Sequence, residues 1–186
     1  TVTLTIDAVN DAPIISSIGN QNINEDELFQ YQISILDVDG DDIEISVSNS
    51  NNATIFIQDQ TLNVLPDEDW FGTLNIGIIA FDGFLTSTEL FVLEVYAVND
   101  APIANEMDVV LDEDTNTLII LDGNDVDDIN LEYIISSEPS NGIYSINGSF
   151  LTYTPNENYF GLDSILYFVS DGELLSESAS VLFEVL

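Results

Sequence analysis

The sequence predicts an all-β protein built as two β-sandwiches in tandem, end to end, with about seven strands in each unit of ~90 residues. Three observations carry that expectation. Apolar residues alternate with polar ones at period two, turn residues separate the alternating runs, and the pattern occurs twice.

The alternation is plain in Phe29, Tyr31, Ile33 and Ile35, in Ile43, Ile45 and Val47, and in Leu74, Ile76, Ile78 and Ala80. It returns in Leu131, Tyr133 and Ile135 and in Ile165, Tyr167 and Val169. Successive side chains of a strand point to opposite faces, so each run reads as a strand with one buried face. No stretch carries a helical period. Asn147-Gly148, between two alternating runs, signals a tight hairpin turn.

The repeat is read from its landmarks. Val9-Asn10-Asp11-Ala12-Pro13 recurs as Val98-Asn99-Asp100-Ala101-Pro102, and Glu25-Asp26 as Glu113-Asp114. Asp37-Val38-Asp39 recurs as Asp125-Val126-Asp127, Trp70-Phe71-Gly72 as Tyr159-Phe160-Gly161, and Phe81-Asp82-Gly83 as Ser170-Asp171-Gly172. The expected division is one repeat over 9–97 and a second over 98–186. Residues 1–8 read as the last strand of a preceding repeat, so the chain is expected to be part of a longer array.

Composition removes several functions. The chain of 186 residues has 35 acidic residues and no Lys, Arg or His, a formal charge of -35. At 45% hydrophobic and 10% aromatic it can nevertheless build a core. Nucleic acids and anionic membranes are excluded as partners because no side chain can displace counterions from phosphates. No apolar run approaches the ~18 residues of a membrane-spanning helix. There is no cysteine, hence no disulfide or thiolate metal site. Without His, Cys, Lys or Arg there is no nucleophile–base pair and no cationic oxyanion clamp, so no enzyme is expected.

The acids lie mainly between strand patterns. Successive loops of a sandwich alternate between its two ends, which sorts them into clusters. In repeat 1 the leading end should hold Asn10, Asp11, Asp37, Asp39, Asp41, Asp42 and Asp82. The trailing end should hold Glu25, Asp26, Glu27, Asp67, Glu68, Asp69, Asn99 and Asp100, brought against Asp125, Asp127 and Asp171 of repeat 2. Carboxylates at that density repel unless a cation intervenes. An all-oxygen donor set suits calcium, which takes six to eight such ligands, whereas zinc, copper and iron favour His or Cys. Asp26, Asp41, Asp42 and Glu68 are expected to be bystanders, since adjacent acids cannot all point one way. Asp37 to Asp42 is not an EF-hand loop, because Asp42 stands where that loop needs Gly and Ser48 where it needs Glu.

These residues resemble the cadherin-like tandem repeats of large bacterial surface adhesins. The likeness rests on both Val-Asn-Asp-Ala-Pro linkers, Asn24-Glu25-Asp26-Glu27, Asp37-Val38-Asp39-Gly40-Asp41, Phe81-Asp82-Gly83, Tyr153-Thr154-Pro155-Asn156 and Tyr159-Phe160-Gly161. The resemblance implies a Greek-key, Ig- or cadherin-like sandwich and several calcium ions at the junctions between repeats. It implies one junction with ligands Glu25, Glu27, Asp67, Asp69, Asn99, Asp100, Asp125, Asp127 and Asp171. An N-terminal junction would use Asn10, Asp11, Asp37, Asp39 and Asp82, and a C-terminal one Glu113 and Glu157. That last junction should hold fewer ions, because Pro155-Asn156-Glu157-Asn158 keeps a single acid.

The expected function is a calcium-rigidified extender segment of a long extracellular or cell-surface adhesin or filament protein. Its expected partners are adjacent repeats of its own chain, and identical chains by strand addition or lateral packing. The alternative from another class is a glycan- or ligand-binding module that uses Trp70, Phe71, Tyr159 and Phe160. Their place before a glycine at a strand start favours a role in plugging the sandwich end.

Overall fold

Branched and aromatic residues at every second position make each alternating run a strand with one face to bury, and two such sheets bury each other. The computed structural model describes residues 9–186 apart from residue 49; the strand expected within 1–8 lies outside the described residues. The chain divides into two compact units, one ending at Val98 and the other spanning Asn99–Leu186.

The first unit contains β1 (Ile14–Ile15), β2 (Gln21–Asn24), β3 (Phe29–Gln32), β4 (Ile35–Leu36), β5 (Glu44–Val47), β6 (Ala53–Gln58), β7 (Thr61–Pro66), β8 (Gly72–Phe81) and β9 (Thr86–Tyr96). One sheet has the order β2-β9-β8-β5 and the other β3-β7-β6, with a short β1-β4 ladder. The second unit repeats this plan with β10 (Ile103–Ala104), β11 (Met107–Leu111), β12 (Thr117–Ile120), β13 (Gly123–Asn124), β14 (Glu132–Ser137), β15 (Gly142–Asn147), β16 (Phe150–Pro155), β17 (Gly161–Ser170) and β18 (Ala179–Val185). Its sheets are β11-β18-β17-β14 and β12-β16-β15, with a β10-β13 ladder. In each unit the chain crosses repeatedly between sheets, giving the Greek-key sandwich. The first strand of each sandwich is split in two: its opening half pairs antiparallel with β4 or β13, and its second half runs parallel to the last strand, β9 or β18.

Each sandwich closes on its own core. Phe29, Leu62 and Val64 from one sheet meet Leu74, Ile76, Ile78, Phe91 and Leu93 from the other, all buried. In the second unit Leu151 and Tyr153 meet Ile165, Tyr167, Val169, Val181 and Phe183, with the rings of Tyr153 and Phe183 stacked at 3.9 Å. One charged group enters this layer. Asp163 accepts hydrogen bonds from the amides of Ser140 (2.9 Å), Asn141 (2.8 Å) and Ser164 (2.9 Å) and from the Tyr153 hydroxyl (3.0 Å). Burial, together with the bond to Asp163, pushes the Tyr153 phenol well above its ordinary range, so it remains a donor.

Two local expectations shift. Asn147 pairs with Phe150, so the hairpin turn is Gly148-Ser149, one residue later than the Asn-Gly pair suggested. Gly148 has φ 59° at the first central position, the place where a type II′ turn needs glycine. The four aromatics also separate. Trp70 and Tyr159 pack against the cores, whereas Phe71 and Phe160 are 56% and 76% exposed. Each pair lies just before a strand, β8 or β17, and the member packed on the core leaves its neighbour facing out. Gly72, at φ 142°, lies under the Trp70 ring, where an added Cβ would sit 3.0 Å from a ring carbon. Gly72→Ala is therefore expected to lower stability by about 1–3 kcal/mol, read as a fall in the urea midpoint with the slope unchanged.

Candidate metal centres at the ends of the units

The leading end of the first unit is organised by the loop between β4 and β5. Asp37 Oδ1 accepts the amides of Asp39 (2.9 Å), Gly40 (3.0 Å) and Asp41 (3.4 Å), which is how a short acidic side chain shapes a turn. Asp39 Oδ2 accepts the Asp11 amide at 2.8 Å, and Asn10 Nδ2 donates to Asp82 Oδ2 at 2.9 Å. Asp82 Oδ1 accepts the amides of Phe84 and Leu85, both at 2.7 Å. Carboxylate oxygens of Asp37, Asp39 and Asp41 lie within 4.8 Å of one another.

The second unit rebuilds this arrangement with the corresponding residues. Asp125 Oδ1 accepts the amides of Asp127 and Asp128 at 2.8 Å, and Asp127 Oδ2 accepts the Asp100 amide at 2.9 Å. Asn99 Nδ2 donates to Asp171 Oδ2 at 2.7 Å, while Asp171 Oδ1 accepts the amides of Glu173 and Leu174 at 2.6 Å. In both units, then, the linker Asn-Asp is fastened to two separate acidic loops of its own sandwich.

The other oxygen of the turn-forming aspartate is left over. Asp37 Oδ2 and Asp125 Oδ2 are buried and have no hydrogen-bond partner, and so is Glu25 Oε2. Glu25 is 4% exposed and uses its Oε1 to accept the Val98 amide at 2.6 Å. A buried carboxylate oxygen without a donor is costly, and the chain has no cationic side chain to supply one.

The trailing end of the first unit departs from the expected grouping. Asp69 is joined by Asp26 rather than by Asp67: the Asp69 amide donates to Asp26 Oδ1 at 3.2 Å, and carboxylate oxygens of the two acids lie within 4.8 Å. Both residues have left-handed backbones, φ 60° and φ 55°, which turn their side chains away from the alternation that made Asp26 look like a bystander. Asp41, also expected to stand aside, belongs to the leading cluster. Asp67 and Glu68 are exposed, and Glu27 folds back to accept the Asn24 amide at 3.3 Å. In the second unit Asp114 Oδ1 accepts the Asn158 amide at 2.8 Å, repeating the Asp26–Asp69 contact, while Glu113 and Glu157 are exposed.

These surroundings set the acidities. The Leu85 amide first, with help from Asn10 and Phe84, holds Asp82 below its ordinary value of 3.8 against the opposing effect of burial. The Asn99 side chain, then the Leu174 and Glu173 amides, do the same for Asp171. Asp41 is raised, by loss of solvent and then by the charges of Asp37 and Asp39. A carboxyl whose folded-state pKa is lowered stabilises the fold above its unfolded value, and that contribution disappears as pH falls through the folded value. The stabilising contribution of Asp82 and Asp171 should therefore be lost on acidification below about pH 4, so that the urea midpoint of Asp171→Asn should fall less, or rise more, than that of the wild-type chain over that range.

Among known proteins, no curated sequence matches this chain. Solved structures do. The human protocadherin-24 EC1-2 structure has a TM-score of 0.58 at 16% identity, covering 95% of this chain and 99% of that one. Drosophila N-cadherin EC1-4 gives 0.53 at 15% identity, covering 95% of this chain and 50% of that one. An endo-fucoidan hydrolase of glycoside hydrolase family 107 gives 0.42 at 17% identity; the chain covers 94% of itself there and spans 29% of the enzyme's length. At these identities the likeness concerns the fold. The sequence pattern described as "Bacterial Ig domain" matches twice, over residues 10–92 and 99–184. The chain belongs to that bacterial Ig domain family, as two tandem copies.

Proposed function

We propose that this chain is a calcium-stiffened extender segment of a long extracellular adhesin-type protein, and that it has no catalytic role. The observation that carries the reading is the buried, partnerless oxygen at the same position of both repeats, Asp37 Oδ2 and Asp125 Oδ2, beside further carboxylates in a chain without cations. Asp37, Asp39, Asp41 and Asp82 would hold an ion in the first unit, with Asp11 and Asn10 close at hand. Asp125, Asp127, Asp171 and the linker pair Asn99-Asp100 would do so in the second. Asp26 and Asp69 offer a further pair of carboxylates, and Glu25 a further bare oxygen.

The donor chemistry favours calcium. It consists of oxygens, many of them carboxylate, on loops that can adjust, which suits a large hard cation better than magnesium with its strict octahedron. Bound there, the ion supplies positive charge that offsets mutual repulsion among the loop acids. The chain's own part is to tie the linker down. Asp39 and Asp127 hold the amides of Asp11 and Asp100, so neutralising those loops fixes the start of each sandwich.

The extracellular address follows from the same chemistry, since extracellular calcium modules have dissociation constants of ~10⁻⁴–10⁻³ M, far above cytosolic calcium. The bacterial Ig family and the cadherin-like fold support an adhesin setting. Among the described residues no helix is long and apolar enough to cross a membrane.

Thermal unfolding with about 5 mM calcium, with magnesium, and with chelator tests the reading. Calcium should stabilise by about 1–2 kcal/mol per ion bound, and magnesium by clearly less. Asp37→Asn with Asp125→Asn should remove most of that gain, whereas the exposed loop variant Asp112→Asn should keep it. Amide hydrogen exchange at Asp11 and Asp100 should slow with calcium. Equal melting temperatures in calcium and chelator would sink the calcium reading.

A further inference from the structure

Two Asn-Gly pairs occur in the chain, Asn141-Gly142 and Asn147-Gly148, one at each end of β15. An asparagine followed by glycine is open to ring closure, because glycine has no Cβ to shield its backbone nitrogen. The surroundings of the two pairs differ. Asn141 is held on both sides: its amide donates to Asp163 Oδ2 at 2.8 Å, and its carbonyl accepts the Asn156 amide at 2.8 Å. Gly142 pairs with Pro155 and lies against Tyr153, where an added Cβ would sit 2.5 Å from the ring and 2.6 Å from the Thr154 carbonyl oxygen. Asn147 is exposed, and its pairing with Phe150 is the last of the β15-β16 ladder. Gly148 lies in the turn beyond that ladder, with nothing within 4 Å of the place a Cβ would take.

From this contrast we infer that Asn147 is a modification site: in the folded chain it deamidates without an enzyme, while Asn141 is protected. The Gly148 backbone nitrogen attacks Cγ of Asn147 and gives up its proton. An N–Cγ bond forms, the Cγ–Nδ2 bond breaks, and Nδ2 leaves as ammonia. Water then opens the five-membered succinimide. Cleavage of the new N–Cγ bond leaves aspartate, and cleavage of the original peptide bond leaves isoaspartate, with the main chain running through the side chain. Ring closure needs rotation about the Asn147 backbone, which only the final pair of the ladder opposes, and ladder ends open at small cost. The same rotation at Asn141 breaks a bond to a carboxylate and a backbone bond, and drives Gly142 against Tyr153. Either product puts a carboxylate at the end of β15, in a sheet whose strands carry no charged residue. Isoaspartate also adds a methylene to the main chain where Asn147 faces Phe150, and so disturbs the hairpin register. Hydrolysis does not return the amide, so the change accumulates with time.

The test is to hold the intact folded chain in mildly alkaline buffer for days, then digest it and map the conversion of amide to acid by mass spectrometry. Asn147 should convert faster than Asn141 by about tenfold or more, since the bonds holding Asn141 must open first. In concentrated urea, where both pairs are freed, the two rates should converge. Asp163→Asn, with melting curves to confirm that it folds, should speed conversion at Asn141 and leave Asn147 unchanged. Asn147→Gln should remove the early acidic product. A folded chain in which Asn147 survives as long as Asn141 overturns the inference. A preference for Asn147 that persists undiminished in urea overturns it equally, because the fold then decides nothing. The chemistry uses no acid of the candidate metal centres, so the extender reading stands or falls separately.

Discussion

The absence of any cationic side chain is the constraint on which the rest of this molecule depends. In an ordinary domain, loop carboxylates are spread among lysines and arginines, and the choice of loop conformation is only weakly electrostatic. Here 35 acids have one class of internal partner, the hydrogen-bond donor. The loops accordingly fold around their own aspartates. Asp37, Asp82, Asp125 and Asp171 each gather two or more backbone amides, and Asn10 and Asn99 supply side-chain amides where the backbone does not reach. The same rule applies inside the second sandwich, where Asp163 is buried with three amides and a tyrosine hydroxyl. Hydrogen bonding to an ionised acceptor is stronger than between neutral groups, and at Asp82 and Asp171 these donors hold the carboxyl pKa below its ordinary value.

Hydrogen bonding does not finish the task. Each turn-forming aspartate spends one oxygen on the turn, and the second, buried at Asp37 and Asp125, is left with none. That both repeats leave the same oxygen bare separates this feature from an accident of one loop. It also explains why ends and faces of the sandwich divide their labour. The loops collect charge that only a cation from solution can balance. The three-stranded sheets carry no charged residue, so the cores beneath them are built of branched and aromatic side chains, with Asp163 of the opposite sheet the acid that reaches Tyr153.

Comparing the two units shows how far sequence position predicts surroundings. Corresponding linker residues, Asn10 with Asn99 and Asp11 with Asp100, make the same contacts, and the turn aspartates do likewise. The trailing turns are matched in backbone more than in chemistry. Asp26 and Asp114 both accept the amide of a left-handed residue, but that residue is Asp69 in one unit and Asn158 in the other. A second carboxylate is present in the first case and an uncharged amide in the second.

The sequence by itself determined the sandwich, the repeat and the clustering of acids at sandwich ends. Each of these follows from patterns of period two or 89, and such patterns survive whatever the loops do. It also located Asn10, Asp11, Asp37, Asp39 and Asp82 in one group, because strand order alone brings their loops together. Tertiary structure decided which acid of a pair takes part. Asp26 rather than Asp67 meets Asp69, Phe71 rather than Trp70 faces outward, and the hairpin turns at Gly148-Ser149 rather than one residue earlier. These outcomes rest on backbone angles at single residues, such as the left-handed φ of Asp26 and Asp69. A residue adopts such an angle when the hydrogen bonds and packing around it outweigh its local preference, and those neighbours come from distant parts of the chain.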